Sequence, residues 1–403
     1  MSADRKAKHR VGELRPSQLL TTFGIGSVVD LPNLSVMVMG LDDWDITQAV
    51  EIGEERLRQA VQRHLGSQAK RLLAPPLAPE ATTWSDLAFG EGTSVGVPVA
   101  TFPRWMVCPY CRVLAPLDSG LFQLKVDPFR PDRTGYIHQN CTKPGRPPTA
   151  LPARFLVACE HGHLDDFPWI YFVHQGQTEC QARLRLREFG VSGEAADIQV
   201  TCEECKASRR MGDAFGADSR AWLPLCRGRR PHLRDYDGQA CPQQMRTILL
   251  GASNSWFPVL LSALSLPVAV DKLGQLVDAY WHVLEKLATK QNVELLRALG
   301  QLPQFATYSD DEVWEAVERK RSGEGFEIEP ELGNLKAPEW RLFTRREAIP
   351  STPDFRLAEV AVPQRYEAVF ERVALVERLR EVSALIGFTR IASPGDFGEA
   401  GQL

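Results

Sequence analysis

All nine cysteines of this 403-residue chain lie between Cys108 and Cys241, and no other feature constrains the possible fold as strongly. The two closest pairs have the CxxC spacing with which one tight turn presents two thiolates to a single metal ion. They are Cys108/Cys111 and Cys202/Cys205. Bound zinc supplies folding free energy to loops that bury little apolar surface by themselves. The sequence therefore predicts structural zinc modules in the middle of the chain.

The first module is predicted around the CxxC pair at Cys108. Downstream, the segment His138-Gln-Asn-Cys141 repeats the two-residue gap, with an imidazole in place of one sulfur. Three thiolates and one imidazole complete a tetrahedral zinc site. The predicted ligands are Cys108, Cys111, His138 and Cys141. Cys159 is an alternative fourth ligand, because spacing alone does not choose between it and His138.

The second module is predicted to hold zinc through thiolates only, with the ligands Cys202, Cys205, Cys226 and Cys241. Two such zinc ions leave Cys159 and Cys180 unassigned, and an odd cysteine count fits a reducing compartment better than a scaffold of paired disulfides. Four protein ligands leave zinc no open position for water, so both sites are predicted to be structural. The alternative for each CxxC pair is a redox dithiol or two ordinary buried cysteines.

The length and composition indicate a folded chain of two or three domains, because 403 residues exceed one ordinary core. A hydrophobic content of 44% with 24% charged residues is that of a globular protein and excludes a disordered one. The basic first ten residues lead into no apolar run of signal-peptide length, and the most apolar stretch, 258–270, is interrupted by Pro267. We therefore expect a cytoplasmic protein.

The pattern along the chain favours an α+β fold, mixed and multidomain, with two embedded zinc modules and a largely helical C-terminal part. Short apolar runs and glycines over 19–40 indicate strands, 45–65 indicates a helix, and 73–103 is rich in Pro, Gly and Thr. The predicted regions are 1–100 (N-terminal α/β region), 101–150 (first zinc module), 151–250 (strand-helix region with the second zinc module) and 251–403 (mainly helical).

One long helix is predicted near the C-terminal end. Apolar residues recur there at steps of three and four, which places them on a single stripe that would pack in a core. The stripe consists of Val369, Val373, Val376, Leu379, Val382 and Ile386. Gly387 would end the helix.

The chain has no sequence motif for binding a nucleotide. No GxxxxGK[ST] loop occurs, and the run Phe23-Gly-Ile-Gly26 lacks the third glycine of a dinucleotide fingerprint. If this chain works with a molecular motor, that motor must be another protein.

A basic segment between 206 and 234 is a candidate for contacts with DNA phosphates, because it carries eight Lys and Arg residues against two Asp. The predicted DNA-binding residues are Lys206, Arg209, Arg210, Arg227, Arg229, Arg230 and Arg234. The alternative is that these cations only offset the negative charge of a four-thiolate zinc centre.

The sequence also contains a compact polar cluster at 161–166. His161, His163, Asp165 and Asp166 resemble the HxHxDH loop of metallo-beta-lactamase-type hydrolases, although the final histidine is an aspartate here. Such a cluster would serve a metal-dependent nuclease or phosphodiesterase. Alternatively, Asp165 or Asp166 caps a helix that begins near residue 167. A third possibility is that Cys159 with one of the histidines completes the first zinc module.

Several segments spread over most of the chain resemble the DrmB family, the helicase-associated zinc-binding accessory proteins of the bacterial DISARM anti-phage system. These segments are 15–24, 28–32, 102–105, 157–159, 162–169, 251–254, 257–258, 379–382 and 387–391. The run at 162–169 is the most specific. Members of the family usually continue into a region beyond the position of Leu403, and His138 stands where we expect a cysteine, a replacement that zinc permits.

The resemblance implies a non-catalytic subunit that pairs with a DrmA-like, ATP-dependent helicase and helps it to engage DNA with a single-stranded end. We also expect no contact with a membrane. A purely structural adaptor, which binds the helicase but not DNA, is the alternative within the same resemblance.

Overall fold

The structure, a computed structural model, describes residues 14–47, 49–75, 96–127, 130–180, 183–190, 193–266, 273, 276–277, 280–306, 308–321, 335–344 and 351–394. Most of the predicted Pro/Gly/Thr-rich segment therefore lies outside the described residues. The described chain forms two compact units. The larger unit takes its residues from 1–53, 69–261 and 384–403, and the smaller unit from 54–68 and 262–383. The predicted boundaries near residues 100 and 150 fall inside the larger unit.

Helices are short in the larger unit and more frequent in the smaller one. They are α1 (Pro16–Thr21), α2 (Glu55–Leu65), α3 (Trp169–His174), α4 (Trp281–Leu284), α5 (Lys290–Ala298), α6 (Asp310–Arg321) and α7 (Lys336–Thr344). The helix predicted over 45–65 begins only at Glu55.

Strands build most of the larger unit. The first ten are β1 (Val28–Leu31), β2 (Leu34–Val38), β3 (Val99–Thr101), β4 (Trp105–Val107), β5 (Val113–Pro116), β6 (Phe122–Lys125), β7 (Gly135–His138), β8 (Leu151–Pro152), β9 (Phe155–Ala158) and β10 (Leu164–Asp166). The others are β11 (Leu184–Glu188), β12 (Ile198–Cys202), β13 (Ser208–Arg210), β14 (Arg229–Arg230), β15 (Asp235–Tyr236), β16 (Arg246–Leu249), β17 (Phe257–Leu264), β18 (Phe355–Val360), β19 (Val373–Leu379) and β20 (Glu381–Thr389).

A six-stranded antiparallel sheet organises the larger unit, with the strand order β13-β12-β11-β5-β4-β8. Burial alternates along β12, where Ile198, Val200 and Cys202 are buried and the two residues between them are only partly covered. This period of two is that of a sheet with one face on a core and one towards solvent. The loops at the strand ends carry most of the cysteines.

A second sheet of three antiparallel strands, in the order β10-β9-β16, lies in the same unit. Its central strand β9 is buried at every residue. The aromatic rings of Phe155, Phe167, Trp169 and Phe172 pack against one another there, with Phe167 and Trp169 centroids only 4.6 Å apart. Core packing therefore accounts for part of the segment 162–169, which carries the most specific part of the family resemblance.

Arg390 joins distant parts of the larger unit. Its side chain is buried, with 1% exposure, and donates hydrogen bonds to the backbone carbonyl oxygens of Gly162 (2.9 Å), Ser255 (2.5 Å) and Gly26 (2.7 Å). Gly162 lies in the most specific segment of the family resemblance, and Ser255 and Gly26 each lie between two other segments of it. Burial lowers the pKa of Arg390 to about 9, so the guanidinium is still charged at neutral pH.

The smaller unit has a helical core of its own. Val293 of α5 and Val313 and Val317 of α6 are fully buried, together with Phe305 between these helices. In the same unit β18 and β19 form an antiparallel hairpin with a register shift after Arg356. Strands β17 and β20 pair with each other.

The structure confirms the α+β fold class but corrects its C-terminal part. Four helices lie over 281–344, but four strands, β17 to β20, lie in the same region, so the prediction of a mainly helical region over 251–403 is not confirmed. The long helix predicted over 369–386 is wrong, because this segment forms β19 and β20. Valine and isoleucine are β-branched and favour strands, and pairing with β18 and β17 outweighs the helical spacing of the apolar residues.

Candidate metal centres

The first Cys/His group contains the four residues predicted for the first zinc module: Cys108, Cys111, His138 and Cys141. Two of them lie in the turn from β4 to β5, one is the last residue of β7, and one follows it in the next turn. The Cys108 and Cys141 sulfurs are 3.7 Å apart, and the Cys111 sulfur lies 3.4 Å from His138 Nδ1. All four ligand atoms lie within 4.8 Å of one another.

These distances fit a tetrahedral zinc ion. Zn–S bonds of about 2.3 Å and Zn–N bonds of about 2.0–2.1 Å imply tetrahedral edges of roughly 3.8 Å for two sulfurs and 3.6 Å for sulfur and nitrogen. A disulfide would instead require about 2.05 Å between sulfurs. All nine cysteines are among the described residues, and none forms a disulfide.

The second group contains Cys159, His163, Cys226 and Cys241, all of them buried. The β9–β10 turn supplies the first two, and the segments before β14 and before β16 supply the others. His163 Nδ1 lies 3.4 Å from the Cys159 sulfur and 3.5 Å from the Cys226 sulfur, and the Cys159 and Cys241 sulfurs are 4.0 Å apart. This geometry also fits a tetrahedral ion.

The imidazole of His163 is oriented by a carboxylate on its far side. Its Nε2 lies 3.3 Å from Asp237 Oδ2, which leaves Nδ1 directed at the sulfurs. Metal-bound histidines usually donate their other N–H to a carboxylate or carbonyl in this way. The nearby His161 is exposed and its Nδ1 lies 3.6 Å from the Cys241 sulfur, outside the group of four.

A third group consists of His174, Cys180, Cys202 and Cys205. Two of its cysteines lie at the β12–β13 turn, the histidine ends α3, and Cys180 lies between α3 and β11. The Cys180 and Cys202 sulfurs are 3.6 Å apart.

The predicted four-thiolate module is therefore corrected. Cys202 and Cys205 lie in the third group, whereas Cys226 and Cys241 lie in the second with Cys159. Cys159 does not replace His138 in the first group either. Nearby cysteines share a turn because local backbone geometry fixes it, but sheet register decides which turns meet. The grouping also explains the odd number of cysteines, because each of the three groups contains three thiols and one histidine.

The thiols do not ionise alike in the absence of a cation. Burial raises the pKa of Cys111 to about 11. The pKa of Cys159 is lowered because the Cys226 thiol donates to its sulfur, and the same contact raises the pKa of Cys226. Burial opposes ionisation of Cys202, but the backbone N–H groups of Cys205 and Glu204 lower its pKa to about 6. A bound cation would replace the remaining protons, so metal affinity depends on pH.

Asp165 and Asp166 bind arginines. Asp165 is 2% exposed and accepts hydrogen bonds from Arg227 Nη2 (2.6 Å) and Arg229 Nη1 (2.5 Å). Asp166 accepts from Arg229 (2.9 Å) and from the Arg104 backbone N–H (2.6 Å). Burial lowers the pKa of Arg229, but the Asp165 and Asp166 carboxylates together outweigh burial and the net direction is upward.

The structure supports neither the helix cap nor the single hydrolase site that the sequence suggested for the cluster at 161–166. Neither aspartate caps α3, which begins after Pro168 without a side-chain cap. The four residues of the hydrolase hypothesis are also divided, because His163 faces cysteine sulfurs while Asp165 faces guanidinium groups.

The predicted DNA-binding residues occupy different environments. Arg209 is buried, stacks 3.8 Å from the Trp222 ring centroid and donates to the Phe172 carbonyl. Four others are held in ion pairs with aspartates: Arg227 and Arg229 with Asp165, Arg230 with Asp235, and Arg234 with Asp43. Lys206 and Arg210 are exposed at the β12–β13 turn and on β13. Most of the predicted basic patch is thus neutralised within the fold.

Sequence reasoning missed His174 and left Cys180 unassigned. No CxxC spacing marks these two residues, and they lie 22 or more residues before the cysteines that they meet. The available signal was the cysteine count, which is divisible into three sets of three. Among the described residues, no helix has the length and apolar character that crossing a bilayer requires.

Comparison with known proteins places these groups in a family. The chain is similar to the DISARM protein DrmB of Bacillus paralicheniformis, with 29% identity over 311 residues. The aligned region covers 74% of this chain and 52% of that protein, so the chain spans about half the length of this relative. This similarity confirms the resemblance noted in the sequence. Residues 15–257, which include all three Cys/His groups, match a family described as "Domain of unknown function (DUF8724)", and the chain belongs to that family.

Proposed function

We propose that this chain is a zinc-stabilised, non-catalytic accessory subunit that pairs with an ATP-dependent, DrmA-like helicase and helps it to bind DNA in bacterial anti-phage defence. The observation that carries the proposal is the closed second group, in which three buried cysteines and one buried histidine surround a tetrahedral position. A zinc ion with four protein ligands has no open position for a reacting water, so its role there is to hold loops together. Similarity to the DISARM protein DrmB supports the defence role.

Two structural zinc ions are assigned to the first and second groups. Cys108, Cys111, His138 and Cys141 would hold one, and Cys159, His163, Cys226 and Cys241 the other. Bound zinc would supply folding free energy where loops meet at the strand ends. In the second group the metal would fasten the segments before β14 and β16 to the β9–β10 turn. Nine reduced cysteines suit the reducing cytoplasm in which phage DNA is met.

DNA contact is assigned to the exposed cations of the six-stranded sheet. Arg187 of β11 and Arg210 of β13 lie on one face, with Gln199 of β12 between them in register. Both arginines are exposed, and Lys206 is exposed in the adjoining turn. Cations on a sheet face can contact phosphates without reading bases. The other predicted arginines are not assigned to DNA contact. If they bound phosphates instead of their aspartate partners, those aspartates would be left without a counter-charge.

The test uses the chain reconstituted with its helicase partner and DNA that has a single-stranded end. Replacing both Lys206→Gln and Arg210→Gln should weaken binding and lower the slope of log affinity against log salt by roughly 1.4–1.8, the value for two phosphate contacts. The matched control is Arg378→Gln, which removes one exposed cation from β19 and should leave the slope unchanged.

Two other outcomes would contradict parts of the proposal. A stable complex with the helicase whose DNA affinity and salt slope are unchanged by the double substitution would make the chain a purely structural adaptor. Failure of the metal-replete chain to bind the helicase would refute the pairing itself.

A further inference from the structure

We infer that His174, Cys180, Cys202 and Cys205 form a third zinc site, and that it is the most readily exchanged of the three. The inference does not depend on the role proposed in DNA binding. It rests on backbone geometry, the orientation of one histidine and the exposure of the ligands.

The turn that holds Cys202 and Cys205 repeats the backbone of the Cys108–Cys111 turn. In each, the N–H of the first cysteine donates to the carbonyl five residues later, with 2.8 Å from Cys202 to Ala207 and 2.9 Å from Cys108 to Val113. In each, the residue after the second cysteine has a left-handed backbone, with φ of 63°. Since few non-glycine residues adopt that conformation, the shared geometry indicates that both turns are built to present two sulfurs inward.

The histidine of the third group is oriented as a ligand. His174 Nδ1 donates to the Ile170 carbonyl one helical turn earlier, at 2.8 Å, which fixes the tautomer. Nε2 is buried and has no hydrogen-bond partner. A buried imidazole nitrogen without a partner is unfavourable, and a metal ion held with Cys180 and Cys202 would satisfy it.

The ligands of this group are more exposed than those of the others. Every residue of the second group is buried, whereas Cys205 is exposed and His174 and Cys180 are partly exposed. Cys180 also lines a cavity of about 530 Å³ together with Trp105, Ile170 and Leu184. Water and a small chelator can therefore reach these sulfurs without opening the core.

The surrounding fold does not rely on this ion alone. Arg209 of β13 donates to the carbonyl of Phe172 in α3 at 2.9 Å and lies over the Phe172 and Trp222 rings. Trp169, Phe172 and Val173 of α3 are also buried in the core. Loss of the third ion should therefore release the Cys180 segment and the β12–β13 turn while α3 remains docked.

The first experiment measures zinc by elemental analysis of the purified full chain. We expect three zinc ions per chain, and two in both Cys205→Ser and His174→Ala. The matched control is Ser208→Ala, an exposed non-ligand change on β13 that should retain three. Two ions in the unaltered chain, or three in both ligand variants, would overturn the assignment.

The main result of the second experiment comes from the unaltered chain, so it does not depend on whether a ligand variant folds. The unaltered chain is mixed with the chromogenic chelator 4-(2-pyridylazo)resorcinol, and zinc release and near-ultraviolet circular dichroism are followed together. One third of the zinc should leave in a fast phase with the aromatic signal retained, and this phase should be absent from Cys205→Ser. Release of all zinc in one phase, or loss of the aromatic signal with the first third, would refute the exchangeable site.

Discussion

The replacement Asp165→Asn tests whether the basic segment stabilises the fold from within. The Asp165 side chain is only 3% exposed, and its two oxygens accept from two guanidinium groups. Oδ1 also accepts the backbone N–H of Asp166 at 2.8 Å. Asparagine keeps the shape but removes the charge, and its amide N–H₂ would have to face a guanidinium donor. Both arginines would then lose their principal counter-charge.

The expected loss can be estimated from the exposure of the partners. Breaking a buried ion pair costs about 3–5 kcal/mol. Arg227 is 61% exposed, so water compensates much of its loss, whereas Arg229 is only 20% exposed and retains the Asp166 carboxylate at 2.9 Å. We therefore expect a destabilisation of about 3 kcal/mol, at the lower end of that range.

Hydrogen exchange is the suitable assay, because the chain has two units and a single unfolding free energy is not defined for it. Asp165 pairs in register with Val157 of β9, so amide protection over Phe155–Ala158 reports the opening of this sheet. Zinc must be in excess in all samples, because bound metal changes the apparent stability.

The control for this prediction is Asp118→Asn. Asp118 pairs with Arg104 at the surface, where both side chains are exposed, so its loss should cost roughly 0–1 kcal/mol. Equal protection of β9 in the two variants would refute the structural role of the Asp165 pairs. If the structural role is correct, Arg229→Met combined with Asp165→Asn should show a coupling energy, because the two side chains take part in the same ion pair.

Three further predictions concern the larger unit. Gly26→Ala places a methyl group 2.7 Å from a ring atom of Phe388 in β20, whereas Gly120→Ala, also at positive φ, meets nothing within 4 Å. Hydrogen exchange of the larger unit should show a further loss of about 1–3 kcal/mol in opening free energy for Gly26→Ala. Arg390→Met leaves three backbone carbonyls without their donor, and hydrogen exchange of the larger unit should show a loss of about 3–5 kcal/mol, since each unpaired buried group costs roughly 1–3 kcal/mol. A loss below that of Gly120→Ala would contradict the joining role. Arg209→Lys keeps the charge but loses the planar stack over Trp222, and hydrogen exchange over Ser208–Arg210 of β13 should show a loss of about 1–2 kcal/mol in opening free energy.

The arginine placements show why a sequence count of charges misjudges a surface. The segment 206–234 is strongly basic in composition, but its neutralising aspartates come from elsewhere in the chain as well as from within it. Asp43 lies 191 residues from Arg234, and Asp165 lies 64 residues from Arg229. Substituting Arg229 would therefore test folding and DNA binding at once, whereas Arg210 tests binding with less effect on the fold.

The local parts of this protein could be predicted from its sequence. The sequence indicated the α+β class, the two CxxC turns and the first group apart from the choice between His138 and Cys159, because Cys108 and Cys111 share one turn and His138 and Cys141 share another. These features depend on a few adjacent backbone angles. Two of the groups depend on tertiary packing, which brings Cys159 and His163 to Cys226 and Cys241 and lets His174 and Cys180 complete a third group. Tertiary packing also makes the segment 369–386 pair as strands. Ligands that are distant in sequence meet only through sheet register. Register is set by the packing of the whole core, so no short spacing pattern in the sequence predicts it.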